Sequence, residues 1–206
     1  MTPPQRCVLA YSGGLDTSVA IPWMRENLGT EVIALSIDLG EARDLRSVQE
    51  RALRTGAVAA YVVDARRLFV ENFAFPSLMA GALYEGVYPL ATALGRPLIA
   101  KLLVDLAREE GAGAVAHGCT GKGNDQVRFE VSTAALAPDL EVIAPVRGWG
   151  LTREQSIEYA DTWGIPITVT TPAENAPRRL KKRSNVCVRQ PKSSIPQRTP
   201  SDPKLR

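Results

Sequence analysis

The chain has 206 residues, 45% of them apolar and 23% charged, with a formal net charge of +3. That is enough for one sizeable core and a short appendage. No apolar run approaches the roughly 20 residues of a membrane span, and Cys7, Cys119 and Cys187 lack metal-ligand or CxxC spacing, so a reduced, cytoplasmic setting is expected.

Along the chain, only the apolar stretch CVLAY separates Arg6 from Ser12, too short for the core of a secretory leader. CVLAY (7–11) reads instead as a buried strand that runs into a diglycine turn and then a helix, bent locally at Pro22. VIALSI (32–37) reads as a second strand. Residues 43–55 place Leu45, Val48, Ala52 and Leu53 on one helical face and stop at Gly56, a natural C′ residue. VAAYVV (58–63) is the third strand. Phe69, Phe73, Phe75, Leu78, Met79 and Leu83 follow on a helix interrupted at Pro76 and are expected to cover the sheet; residues 84–89 form an irregular loop. A helix over 97–110 is expected to start at Pro97, a good N1 residue. AVAH (114–117) and EVIA (141–144) complete the strands. Thr152-Arg153-Glu154-Gln155 is a capping box that opens a last helix, which stops at Gly164.

This alternation predicts an α/β fold: a doubly wound, mainly parallel five-stranded sheet with helices on both faces. There is no internal repeat. Residues 172–206 carry ten basic side chains against two acidic ones and six prolines, leaving a net −5 on residues 1–171. The expected organisation is a globular domain over 1–170 and a disordered, basic, Pro-rich tail over 171–206.

In open α/β sheets the first strand–helix turn is the usual phosphate site, because free amides at the helix start favour an anion. Ser12-Gly13-Gly14-Leu15-Asp16-Thr17-Ser18 stands at that place. Gly13 and Gly14 let amides approach phosphate oxygens, and Ser12, Thr17 and Ser18 offer hydroxyl donors. Asp16 does not favour a bare phosphate, so it either holds a bridging Mg2+ or caps the helix.

A second polar loop follows AVAH: His117-Gly118-Cys119-Thr120-Gly121-Lys122-Gly123-Asn124-Asp125-Gln126-Val127-Arg128-Phe129. Thr120, Asn124 and Asp125 suit the ammonium and carboxylate of an amino acid, while Lys122 and Arg128 supply fixed positive charge. His117, the only histidine, is either a base or a packed strand-end residue. Two other patterns fail as nucleotide motifs. Residues 111–116 match GxGxxA but lead from a helix into a strand, which is backwards for a dinucleotide fingerprint, and Gly121-Lys122 is followed by Gly123 where a Walker A loop needs Ser or Thr.

SGGLDTS resembles the pyrophosphate loop of the N-type ATP-pyrophosphatases. Together with VLAYSGGLDTSVAIPW, ALYEGVYPLATALGRPLIAK and HGCTGKGNDQVRFE, it makes the chain similar to the nucleotide-binding part of the argininosuccinate synthase family, from about residue 6 to Ile167. The resemblance implies a Rossmann-like fold of the adenine nucleotide alpha hydrolase type. It also implies ATP-dependent ligation of citrulline and aspartate to argininosuccinate through a citrullyl-adenylate, with release of pyrophosphate and AMP, the penultimate step of arginine synthesis. Ala10, Tyr11, Ser12, Gly13, Gly14, Leu15, Asp16, Thr17 and Ser18 would cradle ATP, with Ile37 and Gly118 completing its site. Tyr88, Thr92, Asn124 and Arg128 would meet citrulline, and Thr120, Asn124 and Asp125 would bind aspartate. Asp16, Ser12 and Lys122 are the catalytic candidates, with Mg2+ at Asp16. The family also implies a homotetramer and a further C-terminal synthetase and oligomerisation domain, without counterpart in this sequence beyond residues 168–170; a membrane or nucleic-acid partner is not implied. On that ground ligation by this chain alone is expected to be impaired.

Two other functions fit parts of the sequence. A tRNA-modifying relative would use the basic tail on phosphates and Cys119 to carry sulfur. A non-catalytic ATP-binding fragment would bind nucleotide without turning over citrulline.

Overall fold

Five short runs rich in Val, Ile, Leu and Ala form the expected strands: β1 (Arg6–Ala10), β2 (Glu31–Asp38), β3 (Ala59–Asp64), β4 (Ala114–His117) and β5 (Glu141–Ile143). The structure, a computed structural model, describes residues 4–41, 44–121 and 123–165. Lys122 and the expected tail over 171–206 lie outside the described residues. Every strand pair is parallel, in the order β3-β2-β1-β4-β5. The order reverses between β1 and β4, which puts a topological switch point where their carboxyl ends diverge.

The sheet is covered on both faces because β1 is apolar at consecutive positions. Cys7, Val8 and Leu9 are all fully buried. Successive side chains of a strand point to opposite faces, and the residues divide accordingly. Cys7 and Leu9 pack with Ile21 and Met24 of α1 (Leu15–Leu28) and with Val48 and Ala52 of α2 (Leu45–Arg54). Val8 packs on the other face with Ala100, Leu103 and Ala107 of α5 (Ala91–Glu109) and with Phe129. Pro22 sits within α1, buried, and the helix runs on to Leu28.

Helix ends follow the sequence closely where a side chain caps them. Asp44 accepts the Ser47 N–H at 3.3 Å to start α2. Thr152 Oγ1 accepts from Gln155 N at 3.3 Å, while Gln155 Oε1 accepts from Thr152 N at 2.8 Å. That reciprocal pair opens α8 (Arg153–Thr162), and Gly164 at φ +60° follows its end. The remaining short helices are α6 (Asp125–Leu136) and α7 (Pro145–Gly148). No described helix is long and apolar enough to cross a membrane.

Two expectations are corrected. The helix expected to begin at Pro97 begins six residues earlier: α5 spans Ala91–Glu109, with Leu90 at its N-cap in the left-handed region, φ 57°. Pro97 therefore lies inside the helix, at the loss of one backbone hydrogen bond. Burial of Gly95, Leu98, Ala100 and Leu103 along one face overrides that local cost. The aromatic cluster over 65–96 does not cover the sheet. Residues 66–79 are helical throughout, as α3 (Arg66–Phe69), a π turn (Val70–Ala74) and α4 (Phe75–Met79), with Pro76 in the first turn of α4. Phe69 and Phe73, spaced i and i+4, stack at 6.2 Å. Beyond the π turn, Phe75, Leu78 and Met79 are 55%, 74% and 82% exposed.

Leu103 of α5, 1% exposed, is buried in one cluster with Val8 of β1 and Val115 of β4. Leu103→Ala should cost about 3 kcal/mol of stability while the exposed Lys101→Ala stays within about 0.5 kcal/mol, as read by urea unfolding. Equal costs for the two would mean that α5 does not pack as described.

Candidate nucleotide and amino-acid site

A cleft of about 240 Å³ opens at the carboxyl ends of β1, β2 and β4. Ala10, Tyr11, Ser12, Thr17, Ile37 and Gly118, all singled out in the sequence, line it. Gly13, Gly14, Leu15, Asp16 and Ser18 belong to the same turn and first helical residues without lining the cleft. Its other wall comes from Asp38, Leu39, Glu41, Leu45 and Val48, and its floor from Ile99, His117, Cys119 and Phe129. These were not singled out as nucleotide ligands. The rule that ligands sit beyond strand carboxyl ends could have found those after β2.

The turn itself is built for close backbone approach. Gly13 takes φ +75°, a conformation that disfavours any side chain, and a Cβ there would lie 3.2 Å from Val48 Cγ1. Gly14 is the N-cap of α1 in an extended conformation, with no side chain capping the helix amides. Open amides with the helix dipole behind them favour an anion. Ser12 Oγ lies 3.1 Å from Thr17 Oγ1 and accepts the Gly14 N–H at 3.3 Å. Ser18 is buried, and its hydroxyl is paired with Tyr11 Oη at 2.9 Å, so both side chains brace the turn from within the core.

Asp16 is half-buried. Burial raises its carboxyl above the ordinary value, and the charge of Arg153 opposes that rise. Among the described residues no group of three or more His, Cys, Asp or Glu is placed to hold a metal. A lone carboxylate still suits Mg2+, which commonly keeps its waters and takes phosphate oxygens rather than a full protein cage.

Of the residues expected to meet the amino acids, Tyr88, Thr92, Asp125 and Arg128 lie near one another beside this cleft. Asp125 is clamped from two sides: Arg128 donates to Oδ1 at 2.8 Å and Arg96 donates to Oδ2 at 3.1 Å. Arg96 also lies over the Phe129 ring at 5.9 Å and lines the nucleotide cleft, so it joins the two regions. It was missed as a site residue, although a lone arginine within ALGRPLIAK was a visible signal. Tyr88 Oη and Thr92 Oγ1 are 2.9 Å apart, and the hydrogen bond from Thr92 lowers the Tyr88 phenol. Asp125 and Arg128 lie close enough for their charges to act on that phenol as well. Thr120 and Asn124 are exposed on the loop between β4 and α6. Arg147 braces the first turns of α6, donating to Gln126 at 3.0 Å and Glu130 at 2.8 Å.

His117 is 2% exposed and stacked on Phe129 at 5.1 Å. Its Nδ1 accepts the Cys119 N–H at 3.3 Å, which leaves the proton on Nε2. Burial lowers its pKa. The geometry matches the packed strand-end reading, although Nε2 is without a partner among the described residues.

Gly118 brings the β1 and β4 turns together: a Cβ there would lie 2.6 Å from Thr17 Cγ2. Gly118→Ala should destabilise the chain by about 1–3 kcal/mol. Adding Thr17→Ser, which removes only the methyl, should recover most of that loss in a double-mutant cycle. No recovery would show that the contact is not the cause.

Residues 6–166 match the family described as "Arginosuccinate synthase N-terminal HUP domain". Among curated proteins, argininosuccinate synthase of Dehalococcoides mccartyi (strain 195) is 58% identical over 166 residues, covering 81% of this chain and 41% of the relative. The enzyme of Pelotomaculum thermopropionicum is 60% identical over 166 residues, covering 80% and 41%. That of Geobacillus sp. (strain WCH70) is 59% identical over 188 residues, covering 91% and 46%. In that last relative the likeness runs on past Ile167, further than the motifs alone suggested. The chain thus spans between two fifths and one half of the length of these relatives. A solved structure described as a predicted subunit of a tRNA methyltransferase from Methanocaldococcus jannaschii is 17% identical with a TM-score of 0.49, covering 76% of this chain and 74% of that one, a likeness too weak to bear on function. With its parallel sheet, its diglycine turn and this match over most of its length, the chain belongs to the argininosuccinate synthase family.

Proposed function

We propose that this chain forms the ATP-binding and adenylating part of an argininosuccinate synthase, which joins citrulline and aspartate with release of AMP and pyrophosphate. One observation carries the reading: the uncapped start of α1 opens beside the same cleft that Arg96 links to the clamped Asp125. Phosphate and amino-acid chemistry thus stand side by side. The relatives are longer, so the complete ligation is assigned to a protein that has both this part and whatever the relatives' remaining length supplies. A cytoplasmic setting and a homotetramer belong to the same proposal.

In this reading the amides of residues 13–17 and the hydroxyls of Ser12 and Thr17 hold the ATP phosphates. Ile37 packs against the nucleoside, and Gly118 leaves room for it. Tyr88, Thr92, Asn124 and Arg128 hold citrulline so that its ureido oxygen faces the α-phosphate. Thr120, Asn124 and Asp125 hold aspartate for the second step. No residue serves as a nucleophile, because the substrate brings its own; the protein contributes alignment and donors aimed at the departing pyrophosphate. Asp16 would hold Mg2+, which when bound neutralises phosphate charge. Lys122, outside the described residues, remains a candidate partner of the pyrophosphate.

Cys119 speaks against the tRNA-thiolation alternative. Burial raises its thiol above the ordinary value, whereas a sulfur carrier needs an accessible thiolate.

The test is ATP binding by calorimetry, followed by citrulline-dependent exchange of pyrophosphate into ATP. Binding with exchange supports the proposal, and binding without exchange leaves the fragment reading. Absence of any nucleotide binding overturns both. Asp16→Asn adds a second check. Because burial raises the Asp16 pKa, its stabilising contribution is full below the unfolded value of about 4 and is lost as pH rises through the folded value. Asp16→Asn should therefore melt higher than the native chain at pH 7, with the gap closing below about pH 4. It should also weaken Mg-ATP binding at least about tenfold. Unchanged binding would remove Asp16 from the metal role.

A further inference from the structure

Arg51 lies on α2, half-buried and outside the lining of the cleft, yet its guanidinium Nη1 donates to the Gly13 carbonyl at 2.8 Å. Val48, one turn earlier on the same helix, packs directly beneath Gly13. A Gly-Gly peptide is the easiest in the chain to flip, since neither residue has a Cβ to resist it. The peptide is planar and trans, so a carbonyl held towards α2 turns the Gly14 N–H the opposite way, where Ser12 Oγ accepts it at 3.3 Å. A flip would aim the negative end of that carbonyl dipole where phosphate is to bind.

We propose that Arg51 is a positioning residue that locks the Gly13–Gly14 peptide in its anion-accepting orientation, so that α2 presets the phosphate loop before nucleotide arrives. The inference rests on the phosphate reading of the loop. It makes the loop's affinity for the triphosphate depend on a side chain that never touches the ligand.

The experiment uses the whole chain with Arg51→Ala, Arg51→Gln and Arg51→Lys, titrated calorimetrically with ATP and separately with adenosine. Hydrogen exchange of residues 12–18 is followed without ligand. Arg51→Ala should lose about tenfold in ATP affinity with adenosine affinity unchanged, and the loop amides should exchange faster. Arg51→Gln should show the same split if the alanine variant does not fold. Arg51→Lys, which keeps the charge and a donor, should restore most of the ATP affinity. Equal losses for ATP and adenosine, or no loss for either, overturn the brace. If the native chain binds neither ligand, the phosphate reading fails, and loop exchange unchanged by Arg51→Ala then rejects the brace as well.

Discussion

At Gly13 the backbone turns through φ +75° while Val48 closes the space where a side chain would go. Everything else at this edge of the sheet follows from that bend. It turns the chain between the end of β1 at Ala10 and the start of α1 at Leu15, with Gly14 as an uncapped N-cap, and leaves the first helical amides open. A serine or alanine at position 13 would need both a strained backbone and a displaced α2. The turn is therefore shaped by the packing behind it as much as by its own residues.

Three strand ends meet around that bend. The Tyr11 N–H bonds to the Leu35 carbonyl at 2.9 Å and the Tyr11 carbonyl accepts from Ser36 Oγ at 3.0 Å, tying the β1 and β2 ends together. Gly118 lets the β4 turn approach Thr17. Beyond it, Arg96 and Arg128 share Asp125, each about one third exposed. A carboxylate held by two guanidiniums has a fixed orientation. The diglycine turn and the polar loop after β4 are thus linked through contacts of a few ångströms. Parallel strands whose turns all fall on one edge make this possible.

The strands were legible because each is a short apolar run, buried on both faces in β1, β2 and β4, and the diglycine turn because glycine pairs rarely stand between strand and helix without a reason. Capped helix starts, such as Thr152 with Gln155, were legible for the same local reason. The beginning of α5 was not: Pro97 gives a strong local start signal, and only burial of Gly95 and Leu98 shows that the helix is already under way. The aromatic residues of 69–83 misled in the opposite direction. Their apolar character suggested a cover for the sheet, yet Leu78 and Met79 stand in solvent beyond the π turn. Composition states that a residue is apolar, but not which neighbour it meets.

Read alone, the amino-acid order determined the parallel α/β class and the places of the diglycine turn and the second polar loop, since periodicity, glycine placement and capping are local properties. Tertiary structure alone decided that Arg51 and Val48 of α2 stand behind Gly13, that Arg96 reaches Asp125 across 29 positions, and that His117 is stacked within the core. Those pairings depend on how distant elements pack, and no local pattern of residues encodes the distance between them.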